Sequence, residues 1–138
     1  VQIIVGVNAG ARGCLAWNDP ADSAEQKLAM AAFASALPKL TPFLLSSSVT
    51  QPSVQFQHVI TPNRVDIGVW ISSTGQTLVL AANLNYFAVS IMLDQEIPNW
   101  DTGNTTNSRM VMDGGATLTG VQITFDVVKT GAWIFSSS

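Results

Sequence analysis

Val65-Asp66-Ile67-Gly68-Val69-Trp70-Ile71 decides the fold. Its aliphatic residues recur at every second position, which gathers them on one face of an extended strand, whereas a helix would scatter them around its circumference. The same period continues outward. Upstream, Val54, Phe56, His58 and Ile60 alternate with Gln55 and Gln57. Downstream, Ser72-Ser73-Thr74-Gly75 makes a hairpin loop into a strand over Thr77 to Asn83, and Asn83-Leu84-Asn85 turns into Phe87, Val89, Ile91 and Leu93. A polar run from Asn99 to Ser108 separates these from a short strand around Met110 to Met112. The Asp113-Gly114-Gly115 turn, the alternating Val121, Ile123, Phe125 and Val127, and a last strand over Ala132 to Phe135 complete the series. Short strands punctuated by turn residues predict an antiparallel β-sandwich.

Residues 1–48 read differently. Gly13-Cys14-Leu15-Ala16-Trp17 has the character of a strand, and Asp19 and Pro20 suit a helix cap and first helical position, with Ser23 and Gln26 offering a second capping box. A helix is expected to start between Pro20 and Ala24, with Met30, Phe33 and Leu37 on one apolar stripe. Pro38 disfavours helical geometry at Leu37, so the helix is predicted to end there, leaving Leu40, Phe43 and Leu44 as a hydrophobic strap and Ser46-Ser47-Ser48 as a loop. The expected fold is mainly β of the α+β class: a strand-loop-helix segment over 1–48 packed against a sandwich over 49–138, forming one structural unit.

Composition narrows the function. The chain has 138 residues, enough for one ordinary core. Its 11% charged residues fall well below the roughly 25% of an average domain, against 47% apolar residues, so part of the apolar surface is expected to meet a larger partner or a second copy. Six scattered basic residues, Arg12, Lys27, Lys39, Arg64, Arg109 and Lys129, form no cluster able to track phosphates, which argues against nucleic acid and anionic membrane. Leu28 to Leu45 is too interrupted by Pro38, Lys39 and Pro42 to be a membrane span. A first residue Val1 without a basic and apolar leader implies a longer precursor. Cys14 stands alone, so neither an intrachain disulfide nor a thiolate metal site is expected.

The chain resembles the C-terminal end of a fungal-type secreted glycoside hydrolase, in which a barrel's closing strand and helix lead into a small all-β domain. The runs that carry the resemblance are Gly6-Val7-Asn8, Gly10-Ala11-Arg12-Gly13, Ala16-Trp17-Asn18-Asp19-Pro20, Ala36-Leu37-Pro38 and Leu40-Thr41-Pro42-Phe43-Leu44. In the sheet they are Arg64 to Trp70 and Leu78 to Tyr86. The resemblance implies that the catalytic carboxylates would lie on earlier barrel strands outside this chain. It also implies that Trp17 and Asn18 are relics of a substrate cleft, because a tryptophan closing the last barrel strand serves there as a sugar platform.

The residues themselves offer few routes to catalysis. His58 is the single imidazole and no Gly-x-Ser-x-Gly elbow is present, so a structural role is expected for it. Asp94 and Glu96, like Asp19 and Asp22, read as loop and cap charges, and no metal or cofactor site is signalled. Aromatic residues are the better lead, since sugar rings stack on indoles while neighbouring polar groups bond their hydroxyls. Trp100, flanked by Asn99 and Asp101 in a polar loop, is the most exposed-looking indole. Its alternative role is a loop anchor folded onto the sheet. Trp70, on the face opposite Val65, Ile67, Val69 and Ile71, is either solvent-facing or the floor on which the helix packs, the second being favoured, while Trp133 and Tyr86 take core or rim positions. Asn104-Thr105-Thr106 is a glycosylation sequon.

These readings converge on a secreted, non-catalytic, lectin-like protein. Its expected ligand is carbohydrate or a glycoprotein glycan, bound by Trp17, Asn18, Asn99, Trp100 and Asp101, with a glycan on Asn104. The rival from another class is a small stabilising subunit of a larger secreted enzyme such as a fungal oxidase, and the third reading is a hydrolase fragment with residual activity.

Overall fold

The computed structural model describes residues 2–10, 24–44, 54–103 and 105–137. Helices α1 (Gln2–Asn8) and α2 (Ala24–Leu44) precede strands β1 (Gln55–Ile60), β2 (Val65–Ile71), β3 (Thr77–Asn83) and β4 (Val89–Met92). The short helix α3 (Leu93–Glu96) and strands β5 (Asn107–Gly114), β6 (Thr117–Thr119), β7 (Gln122–Phe125) and β8 (Thr130–Ser136) follow. A five-stranded sheet runs β1-β2-β3-β8-β5 and a three-stranded sheet runs β4-β7-β6. Every ladder is antiparallel. The fold is therefore the expected mainly β, sandwich-like α+β architecture.

Strand alternation explains how the layers stack. Val65, Ile67 and Val69 of β2, Val79 and Ala81 of β3, and Trp133 and Phe135 of β8 meet Val89, Ile91, Ile123 and Phe125 of the small sheet in one core. The intervening residues, Trp70, Leu78, Leu80, Ala82, Ala132 and Ile134, meet Ile4, Ala36, Leu40 and Phe43 of the two helices in a second. The middle strands of the large sheet are thus buried on both faces. Of the two positions open to Trp70, it takes the helix floor.

Two glycines make room for the indoles. A Cβ at Gly68 would come within 2.7 Å of the Trp70 ring, and one at Gly131 would collide with the Trp133 ring. Each tryptophan lies back along its own strand over the residue two positions before it, on the same face.

Several local expectations are corrected. Helix α2 begins within the expected range yet runs through both Pro38 and Pro42 to Leu44. The two prolines are exposed, while Ala36, Leu40 and Phe43 are buried beneath the helix. An interior proline costs a helix about 3 kcal/mol, and burial of one large apolar side chain returns about 1.5–3 kcal/mol. Burying Leu40 and Phe43, with Ala36 beside them, on the sheet offsets most of the two interruptions. Leu40, Phe43 and Leu44 are consequently helical rather than a strap, and Met30 and Leu37 of the expected stripe are exposed. Helix α1 was not signalled by a cap or a clear period. Leu93 opens α3 instead of closing a strand, β5 is longer than Met110 to Met112 and bulged between those residues, and β6 is additional. The strand expected over Cys14 to Ala16 lies outside the described residues.

Candidate functional site: a cleft beside the edge strand

The two sheets differ in width, and the difference creates a cleft. Three strands cannot cover five, so, among the described residues, the face of β1 and β2 nearest the outer edge of β1 is closed by the loop that follows α3. Gln55, Gln57, Val69, Ile71 and Thr77 line one side, and Pro98, Asn99, Trp100, Asp101 and Thr105 the other, around 220 Å³. The alternation of β1 puts Gln55 and Gln57 on the same face as Val59, which packs against the inter-sheet core.

The loop is fixed by its own bonds. Asn99 adopts a left-handed backbone (φ 59°), a conformation asparagine tolerates better than most residues. Asp101 Oδ1 accepts from the Gly103 amide at 3.0 Å, and the Thr105 hydroxyl donates to the Asp101 carbonyl at 2.6 Å. Trp100 packs edge-on against Phe135, ring centroids 5.2 Å apart at 88°. Its Nε1 is buried without a hydrogen-bond partner. Trp100 is therefore half-buried, and it is an anchor of the loop as well as a wall of the cleft.

Asn99, Trp100 and Asp101 are brought together as expected of adjacent residues. Gln55, Gln57 and Thr77 join them from distant strands. The glutamines could have been suspected from their alternation with Val54 and Phe56, but their meeting with the loop required the sheet order. Trp17, Asn18 and Asn104 lie outside the described residues. A second depression of 180 Å³, lined by Gln76, Asn107, Ser108, Arg109, Ile134 and Ser136, carries no aromatic residue.

Three other features are resolved. His58 Nε2 lies 3.0 Å from Asp66 Oδ1, and the same oxygen accepts from Asn8 Nδ2 at 2.7 Å, so the histidine is tied into the helix-sheet contact. At one end of the sandwich, Asn83 Nδ2 donates to the carbonyls of Phe87 and Asp126, and Asn85 Nδ2 donates to the Asn63 carbonyl, clasping three loops together. Tyr86, 87% exposed, and Phe87, Val127 and Val128 form an apolar patch on that clasped end. Among the described residues no group of three or more His, Cys, Asp or Glu converges on a point, and no helix is long and apolar enough to cross a membrane.

No family model and no curated protein matches the chain. Among solved structures, the chain is similar to the crystal structure of an alpha-glucosyl transfer enzyme, XgtA, with a TM-score of 0.51 and 16% identity. The match covers 83% of this chain and 19% of that enzyme, so the chain spans about a fifth of its neighbour's length. At this identity the likeness is one of fold. It relates this architecture to that of a glycosyl-transfer enzyme.

Proposed function

We propose that the chain is a secreted, non-catalytic carbohydrate-binding protein related to the C-terminal region of a fungal-type glycoside hydrolase, with its sugar site in the cleft between β1 and the loop carrying Trp100. The observation that carries this reading is the convergence of an indole with four amide or carboxylate side chains, Gln55, Gln57, Asn99 and Asp101, in one cleft. Amides both donate and accept, which suits the paired roles of sugar hydroxyls, while the indole offers an apolar wall for the ring. The cleft is smaller than the roughly 300 Å³ at which ligand pockets usually begin, so it suits one terminal sugar ring rather than a long chain. Glycoside hydrolysis needs two carboxyl groups facing each other across the bond. Asp101 is the single acid among the described residues lining the cleft.

Trp17 and Asn18 remain assigned to sugar contact by the resemblance, and Asn104 to glycosylation by its sequon. Pure chain applied to a glycan array is expected to retain sugars with one exposed terminal residue. Gln55→Ala and Gln57→Ala should lower that retention, and Trp17→Ala reports the contribution of the first segment. These polar variants are more informative than Trp100→Ala, because Trp100 also supports Phe135. An array blank for the folded parent chain overturns the reading. The exposed patch of Tyr86, Phe87, Val127 and Val128 favours the second reading, a stabilising subunit of a larger secreted enzyme, in that case.

A further inference from the structure

The four sheet edges are not alike. Edge strands expose unpaired amides and carbonyls, and proteins protect them by shortness, bulges or charge. In the small sheet, the edges β4 and β6 are four and three residues long. In the large sheet, β5 is bulged between Met110 and Met112 and carries Arg109 and Asp113. Strand β1, Gln-Phe-Gln-His-Val-Ile, has none of these devices, and its six residues all pair in register with β2. Its single titratable residue, His58, is held by Asp66 of the neighbouring strand. No strand pairs with the outer edge of β1 among the described residues.

The register shows which groups that edge presents. The Thr61 amide donates to the Val65 carbonyl, so this opposed pair directs its backbone groups toward each other. In an antiparallel ladder such pairs alternate with pairs whose groups point away. Carrying the alternation back from Thr61, the groups of Gln55, Gln57 and Val59 turn inward to β2, and those of Phe56, His58 and Ile60 turn outward. The side chains of these three residues share the helix-side face, as the 4.7 Å stacking of Phe56 on Trp70 and the His58–Asp66 contact show. Helix α1 packs over β2 and β3, and α2 chiefly over β5, so among the described residues this border of the face is the least covered. Phe56 is 46% and Ile60 59% exposed there.

We infer that β1 is a homodimerisation edge, pairing antiparallel with β1 of a second copy about a two-fold axis at His58. The strand is self-complementary in that register. His58 faces its own copy, Phe56 faces Ile60 of the second copy and Ile60 faces Phe56, so every outward amide and carbonyl of the three residues finds a partner. The aromatic–aliphatic pairs on the helix side are of the kind that stabilise sheets. A symmetric, closed pairing also consumes the edge on both copies, which stops further growth. A strand from a different protein would need a matching pattern; a second copy has it by identity.

The test is sedimentation velocity of the full chain over a dilution series, combined with amide hydrogen exchange. The expected result is a dimer that dissociates on dilution, with the amides of Phe56, His58 and Ile60 gaining protection as concentration rises while those of Gln57 and Val59 stay unchanged. Ile60→Lys places a charge on the open border and should abolish the dimer; Met110→Lys, on the opposite edge, should leave it intact. A parent chain that stays monomeric at the highest concentration overturns the inference. So does a dimer whose outward β1 amides exchange freely, or one that persists in folded Ile60→Lys. Should Ile60→Lys fail to fold, the exchange pattern of the parent chain decides alone. Sugar binding at the neighbouring cleft does not enter any of these readouts.

Discussion

Asp66 shows how much one side chain can organise. It is the only buried carboxylate among the described residues, 1% exposed, on the face of β2 that meets the helices. A charge in such a place is tolerated only when it is bonded. Asn8 Nδ2 and His58 Nε2 both donate to its Oδ1, so one oxygen joins the end of α1, the edge strand and the centre of the sheet. Asn8 Nδ2 also approaches the Leu80 carbonyl at 3.3 Å. Removing the acceptor strands buried donors, which typically costs about 1–3 kcal/mol. Asp66→Ala is expected to lower the urea midpoint accordingly. His58→Ala should cost less, because that imidazole is partly exposed and water can replace it. Equal losses in the two variants would show that the histidine, not the Asn8 contact, dominates this cluster.

Among the elements, α2 is where local rules and tertiary packing conflict. Pro38 and Pro42 each remove a helical hydrogen bond, yet the helix continues because its buried residues need the sheet. Pro38→Ala restores a donor on an exposed face. It also releases some freedom in the unfolded chain, so the net gain should be on the order of 1–2 kcal/mol. A rise in both helical circular dichroism and thermal midpoint is the expected outcome; a fall in the midpoint would mean that the ring itself supports the packing.

The same conflict marks the boundary of what was legible. Strands β1 and β2 follow directly from the period-two recurrence of their aliphatic residues, whereas β3 and β8 are continuous apolar runs that their length and the turns around them mark as strands. Pro38 does not stop the helix, because the burial of Leu40 and Phe43 lies beyond a rule about two adjacent residues. Strand β6 and the extension of β5 carry polar, exposed residues whose pairing depends on neighbours remote in sequence. For the cleft, Asn99 to Asp101 could be named in advance. Gln55 and Gln57 could not, because only the unequal widths of the two sheets bring them to the loop.

At the scale of the whole molecule, the large sheet belongs to two cores at once. Trp70 reports the helical core and Trp133 the inter-sheet core, yet they stand on β2 and β8, which flank β3 in one sheet. Loosening either layer exposes the back of residues that hold the other. Two independent units over 1–48 and 49–138 would instead unfold separately. Leu40→Ala removes a fully buried side chain from the helical core, and Ile123→Ala does so from the inter-sheet core. Each should cost about 2–5 kcal/mol. If the sheet couples the layers, each variant shifts the whole transition, and helical circular dichroism and tryptophan fluorescence keep superimposable urea curves. A Leu40→Ala protein whose helical signal is lost at low urea while the β7 amides keep their exchange protection would show the helices to be an appendage. The two-faced burial of β2, β3 and β8 predicts the single transition, because no plane through the molecule separates the helices from the sandwich without exposing the sheet between them.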